Sequence, residues 1–187
     1  MTNDECLDAQ RIQWWEGDMK RFAILACAAL LMAGGCGSNN TNGPSNQPTV
    51  FTVPLLAANE TPPTGKEPNA SGTATITVNT VKDSSGAVTS GTFDFNVSLT
   101  GFPPDSKVIL ANIHTGAAGV PGAVLINTNV SAADNIVLTN GSGTFSKTGV
   151  APPSVADLQN ILNNPSGFYF NVHTQASPGG AVRGQLR

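Results

Sequence analysis

The strongest constraint on this chain is a two-residue hydrophobic period that begins near Val50 and recurs up to the C-terminal end. Phe93, Phe95, Val97 and Leu99 alternate with Asp94, Asn96, Ser98 and Thr100. Successive side chains of a strand point to opposite faces, so this order turns an apolar face to a core and a polar face to solvent. The same period appears in Phe51, Val53 and Leu55, and again in Ala74, Ile76 and Val78 set against Thr73, Thr75 and Thr77. Turn-forming stretches (ETPPTGKEPNASG, DSSG, GFPPDS) separate these runs, as Gly, Pro, Asn, Asp and Ser do for distinct backbone reasons. KVILANIHT, GAVLINTNV, NIVLTN, GTFSKTGV, GFYFNVHT and a closing AVRGQLR continue the series of short strands. No helical pattern of about 10–15 residues separates successive strands, which argues against a parallel sheet. The chain therefore reads as all-β over residues 50–187, an antiparallel sandwich or barrel.

One helix interrupts the strands. Ser154 is placed to cap the run SVADLQNILNN, and Asp157 sits three residues on, where a carboxylate favours the positive helix end. Val155, Leu158, Ile161 and Leu162 fall on one face, and Pro165 stops the run. The expectation is two to three turns packed across one end of the β-structure.

Charge limits the partners. Only 11% of the 187 residues are charged, against about 25% in an average domain. From Cys36 onward there are six bases and seven acids, a net of −1, with no basic cluster. Phosphate neutralisation needs such a cluster, so nucleic-acid binding is not expected.

The leading segment carries an address. Lys20 and Arg21 precede the apolar run FAILACAALLMAGG at residues 22–35, and Cys36 follows directly. A basic start, a short apolar run and small residues before the end form a secretory signal, and the run is shorter than the roughly 20 residues a membrane span requires. Ala33-Gly34-Gly35-Cys36 resembles the lipobox of bacterial lipoproteins, with Ala33 where Leu is usual. That resemblance implies cleavage before Cys36 and acylation of its thiol, which would attach the chain to the cell membrane or the outer membrane with its domain outside the cytoplasm. Residues 1–18 are acidic and do not fit this pattern; we read them as a misassigned or disordered start, with translation beginning at Met19. Residues 36–49 are polar and rich in Asn, Ser, Gly and Pro, too poor in apolar surface to fold, and read as a flexible tether.

Three stretches carry a resemblance to a known family: NETPPTG near the domain start, ILANIHTG in the middle, and GFYFNVHTQASPGGAVRGQL at the end. Together they resemble the CHRD family, named after chordin, over almost the whole domain. Where that family usually reads His-x-His-Gly, this chain has Asn112-Ile113-His114-Thr115. The resemblance implies a Greek-key β-sandwich of immunoglobulin-like or superoxide-dismutase-like kind. It implies no reaction.

Site chemistry is sparse. The two histidines, His114 and His173, each close a strand of similar texture, ANIHTG and FNVHTQ. Asn112 shares a face with His114, and Tyr169 and Asn171 share a face with His173; Arg183 is placed to lie on that same polar face. These six residues are the candidate polar cluster. One reading makes His114 and His173 ligands of copper or zinc, since imidazole suits both, with Asp94 or Asp105 available to complete the set. The plainer reading has both rings hydrogen-bonded to backbone and to Arg183, fixing adjacent strands. No G-x-S-x-G elbow, HExxH pair or phosphate-binding glycine loop occurs, so no catalytic residue and no resident cofactor are assigned. The expected function is non-enzymatic: a monomeric binding module held at a membrane by its lipid, facing a protein or another envelope component.

Overall fold

The computed structural model describes residues 46–187. Residues 1–18, the segment read as an export signal, Cys36 and most of the stretch read as a tether lie outside the described residues. Nine strands form: β1 (Thr49–Leu56), β2 (Ser71–Lys82), β3 (Val88–Thr100), β4 (Ser106–Thr115), β5 (Val124–Asn127), β6 (Ile136–Leu138), β7 (Gly143–Val150), β8 (Phe168–Thr174) and β9 (Val182–Gln185). One α-helix, α1 (Val155–Asn163), lies between β7 and β8. Every segment read as a strand from its alternation contains one, and β1 begins at Thr49.

All pairings are antiparallel. The expected sandwich of two separate sheets is not what forms. The strands make one hydrogen-bonded sheet in the order β5-β4-β8-β9-β1-β2-β3-β7, with β6 pairing on β4. The sheet curls until it is nearly closed. Phe95 of β3 stacks on Phe170 of β8 with centroids 5.6 Å apart, although β9, β1 and β2 lie between those strands in the sheet. Only a strongly curved sheet brings such distant strands face to face. Near the free edges, β6 pairs with β4 and the turn after it leads into β7, which pairs with β3, so this short connection spans the gap. β6 is three residues long and β4 pairs irregularly near its start and end; neither feature is visible in the apolar alternation, which by itself leaves sandwich and barrel both open.

The interior is apolar. Leu55, Ile76, Phe93, Phe95, Ile113 and Phe170 are fully buried. At the β1–β9 contact, a side chain on Gly184 would lie 2.2 Å from the Pro54 carbonyl oxygen, so only glycine permits that approach. The helix follows its sequence signals: Ser154 Oγ accepts from the Asp157 amide at 3.1 Å, and Leu158 and Ile161 are buried. It rests at the start of β3, where Gln159 donates to the Val88 carbonyl.

Candidate functional site

The site is built on the outer faces of β4, β8 and β9. In register, Leu110 faces His173, Asn112 faces Asn171, and His114 faces Tyr169. On the other side of β8, Asn171 faces Arg183 and Tyr169 faces Gln185. The two histidines therefore stand at diagonal corners, with the Asn112–Asn171 row between them. All six residues singled out in the sequence come together on this face, joined by Gln185.

This face is not solvent-exposed. Every residue of β8 is buried, because three loop segments cover the polar side. From residues 57–70, Glu60 accepts from Asn171 Nδ2 at 3.5 Å and Glu67 accepts from the Thr174 hydroxyl at 2.7 Å. Asn59 donates to the Arg183 carbonyl. From residues 116–123, the carbonyls of Ala117 and Val120 each accept from Arg183 Nη2 at 2.9 Å, and the Gly122 amide donates to the Tyr169 hydroxyl. From residues 175–181, Gly180 packs so closely that a Cβ there would lie 2.6 Å from Glu60 Oε2 and 2.8 Å from Asn171 Nδ2. That approach, at a φ of 130°, gives the Pro-Gly-Gly turn its physical reason.

Aromatic and cationic groups stack along the face. The Arg183 guanidinium carbon lies 3.3 Å from the Tyr169 ring centroid, a cation–π contact. Tyr169 in turn stacks on His114 at 4.8 Å and 7°. The His114 and His173 centroids are 6.0 Å apart. Backbone hydrogen bonds to the histidines occur as expected, to Gly122 and Pro178 at 3.0 Å each. The expected bonds to Arg183 do not: its planar fork serves loop carbonyls and an aromatic face instead. Asp94 bonds Asn79 and the Gly149 amide on the β2–β3–β7 side, and Asp105 lies in the turn before β4. Neither joins the histidines, and no group of three His, Cys, Asp or Glu suited to a metal occurs among the described residues.

The electrostatics follow from burial. Both histidines are pushed below the ordinary imidazole pKa, first by loss of water; Arg183 adds to this at His114, and His114 adds to it at His173. Each backbone carbonyl acts in the opposite direction. Burial raises the Glu60 pKa to about 7 against the opposing pull of Arg183 and Asn171. Imidazoles and carboxyl are thus biased toward neutrality, the usual outcome for charge removed from water.

What most distinguishes the face is its unused hydrogen-bonding capacity. Among the described residues, seven buried side-chain atoms have no partner: Nε2 of both histidines, both amide atoms of Asn112, Asn171 Oδ1, and Oε1 of Glu60 and of Glu67. All seven belong to this face or to the segment covering it. Buried polar groups are ordinarily satisfied, so a concentration of this kind marks a place built to receive polar atoms. Glu60, Glu67 and Gln185 were missed in the sequence; Glu60 sits inside NETPPTG, where the turn residues masked it. Beside Arg183 and Gln185 an open cleft of about 280 Å³, lined also by Asn59, Thr61 and Gly119, reaches solvent.

The sequence stretches that supply this face are those that carried the family likeness: NETPPTG gives Glu60, ILANIHTG gives Asn112 and His114, and the last gives Tyr169 through Gln185. No curated protein and no solved structure matches the chain. The family model of the CHRD domain matches residues 51–186, a span covering all nine strands save the first two residues of β1, together with the whole polar face, and the chain therefore belongs to the CHRD-domain family.

Proposed function

We propose that this chain is an exported, lipid-anchored CHRD-domain protein that acts by binding and not by turnover, and that its ligand occupies the polar face of β4, β8 and β9. The observation that carries this reading is the set of six unpartnered buried atoms of His114, His173, Asn112, Asn171 and Glu60 on and over that face. Leaving a buried donor or acceptor unsatisfied costs about 1–3 kcal/mol each, a cost that a bound polar ligand offsets. Binding without turnover is supported by the state of the two histidines. Each spends Nδ1 on a carbonyl, and each Nε2 has no partner, so no hydroxyl or thiol is held by either as an activated nucleophile.

A small polar ligand fits better than a large apolar partner. Among the described residues, the exposed large apolar ones are Val50, Leu56, Val81, Val120 and Val124, dispersed over β1, β2 and the region around β5, whereas protein-docking faces usually present contiguous apolar area. Export rests on the basic-apolar-small pattern before Cys36, and two or three acyl chains would hold the domain to a membrane firmly. Expression of the full chain in a bacterial host with labelled palmitate tests the anchor. The wild type is expected in the membrane fraction and labelled, and Cys36→Ala unlabelled. A wild-type chain in the cytosol with residues 22–35 still attached would end this reading.

A further inference from the structure

We propose that His114 and His173 together hold one monovalent copper ion between their Nε2 atoms. The inference rests on the reading that the polar face is the ligand site, and it names the ligand.

The tautomers are set by the partners. A carbonyl oxygen only accepts, so the contacts of His114 Nδ1 with Gly122 O and of His173 Nδ1 with Pro178 O place a proton on each Nδ1. In a neutral ring the lone pair then sits on Nε2. Both Nε2 atoms are buried and unpartnered. A ring whose other nitrogen is fixed by a backbone carbonyl has the arrangement that orients histidine ligands in metal sites. The carbonyls belong to two different loops, one after β4 and one after β8, and so fix the two rings independently.

Separation and donor count select the ion. With metal–nitrogen bonds of about 2 Å and a further ~1 Å from each nitrogen to its ring centre, two imidazoles facing each other across one ion have centroids about 6 Å apart. The observed separation is 6.0 Å. A closed zinc site takes four protein ligands and an open one about three, and no third His, Cys, Asp or Glu joins this pair among the described residues. A filled-shell monovalent ion is satisfied by two donors in line, with the Asn112 amide of the intervening row as a weak neighbour. Burial points the same way. The energy of placing an ion in a low-dielectric site rises with the square of its charge, so one positive charge is far cheaper to bury than two. Arg183, stacked on the next ring, adds a second reason to exclude a divalent cation.

The test uses the full chain with its thiols alkylated, so that Cys6, Cys27 and Cys36 do not compete. Under anaerobic, reducing conditions Cu(I) is partitioned between protein and a chromogenic Cu(I) chelator. One Cu(I) per chain is expected, with affinity falling at least 100-fold in His114→Gln and in His173→Gln. X-ray absorption of the loaded wild type is expected to show two nitrogen scatterers near 2 Å, a readout that stands even if a variant folds poorly. Zn(II) bound as tightly as Cu(I), sulfur or four-ligand scattering, or Cu(I) affinity unchanged in both variants would each overturn the proposal. Asn112→Leu separates its failure from that of the underlying reading. If Zn(II) raises the wild-type Tm and not that of Asn112→Leu, the copper assignment fails and the polar face stands as a ligand site. If neither metal alters the wild-type Tm and Asn112→Leu melts well below wild type, the Asn112 amide is already satisfied within the fold and both fail.

Discussion

Strands β3 and β8 carry the same alternation and live in different surroundings. Along β3, Phe93, Phe95, Val97 and Leu99 are buried while Asn96, Ser98 and Thr100 are exposed. Along β8, Phe168, Phe170 and Val172 face the interior, yet Tyr169, Asn171 and His173 are buried as well. Alternation reports which face is apolar; it does not report whether the polar face is wet. On β8 the polar face is covered by loops from three places in the chain, and burial turns ordinary polar residues into a site with perturbed pKa values and unspent lone pairs.

The comparison can be broken most severely from its shared side. Phe170→Ala empties a fully buried position stacked on Phe95 and should cost about 3–5 kcal/mol in chemical denaturation. The covered polar face should come next. Arg183→Ala removes both bonds to the 116–123 loop and the contact with Tyr169, and should cost about 2–4 kcal/mol. Hydrogen exchange should show that loop opening selectively; equal exchange in variant and wild type would mean Arg183 does not hold it down.

A titration sharpens the contrast further. Folded Glu60 keeps its proton up to about pH 7, against an ordinary carboxyl value of 4.5. The folded state thus binds the extra proton in that window, and the stability linked to it is full below 4.5 and lost as pH rises through about 7. The histidines act oppositely. Their folded pKa values lie below 6.5, so the unfolded chain binds more protons there and stability is lost as pH falls under 6.5. Glu60→Gln should therefore be more stable than wild type at pH 8 by on the order of 1 kcal/mol, and should retain only the acid-side loss. A wild type whose stability rises steadily from pH 5 to 8 would contradict this. The smallest effect belongs to the wet face of β3: Asn96→Val should change stability by less than about 0.5 kcal/mol, whereas a comparable change at the buried Asn171 should be plainly measurable.

These differences also show how far the chain can be read unaided. The strand segments were legible because a half-buried strand must alternate, and the helix because Ser154, Asp157 and Pro165 mark its ends. Parity grouped Asn112 with His114, and Tyr169 with Asn171 and His173; the side-by-side pairing of β4, β8 and β9 is what joins them with Arg183 on one face. Two things were not legible. Closure of the sheet depends on short β6 and on irregular pairing between Val108 and Leu110 and between Ile113 and His114, which leave no periodic trace. Burial of the polar face depends on aperiodic loops, so Glu60 and Glu67 looked like turn residues until the fold placed them over β8.

The neighbours of β1 bear on how the domain would respond to tension. β1 is paired with β2 along its whole length, from Thr49 opposite Val78 to Leu56 opposite Ser71, whereas it meets β9 only toward its end, at Leu56 opposite Arg183 and where Pro54 lies against Gly184. A pull on the leading end would open that ladder like a zip, one pair at a time from Thr49. The last link to part is the one beside Arg183, so mechanical load from a tether would reach the polar face only after the whole strand had peeled away.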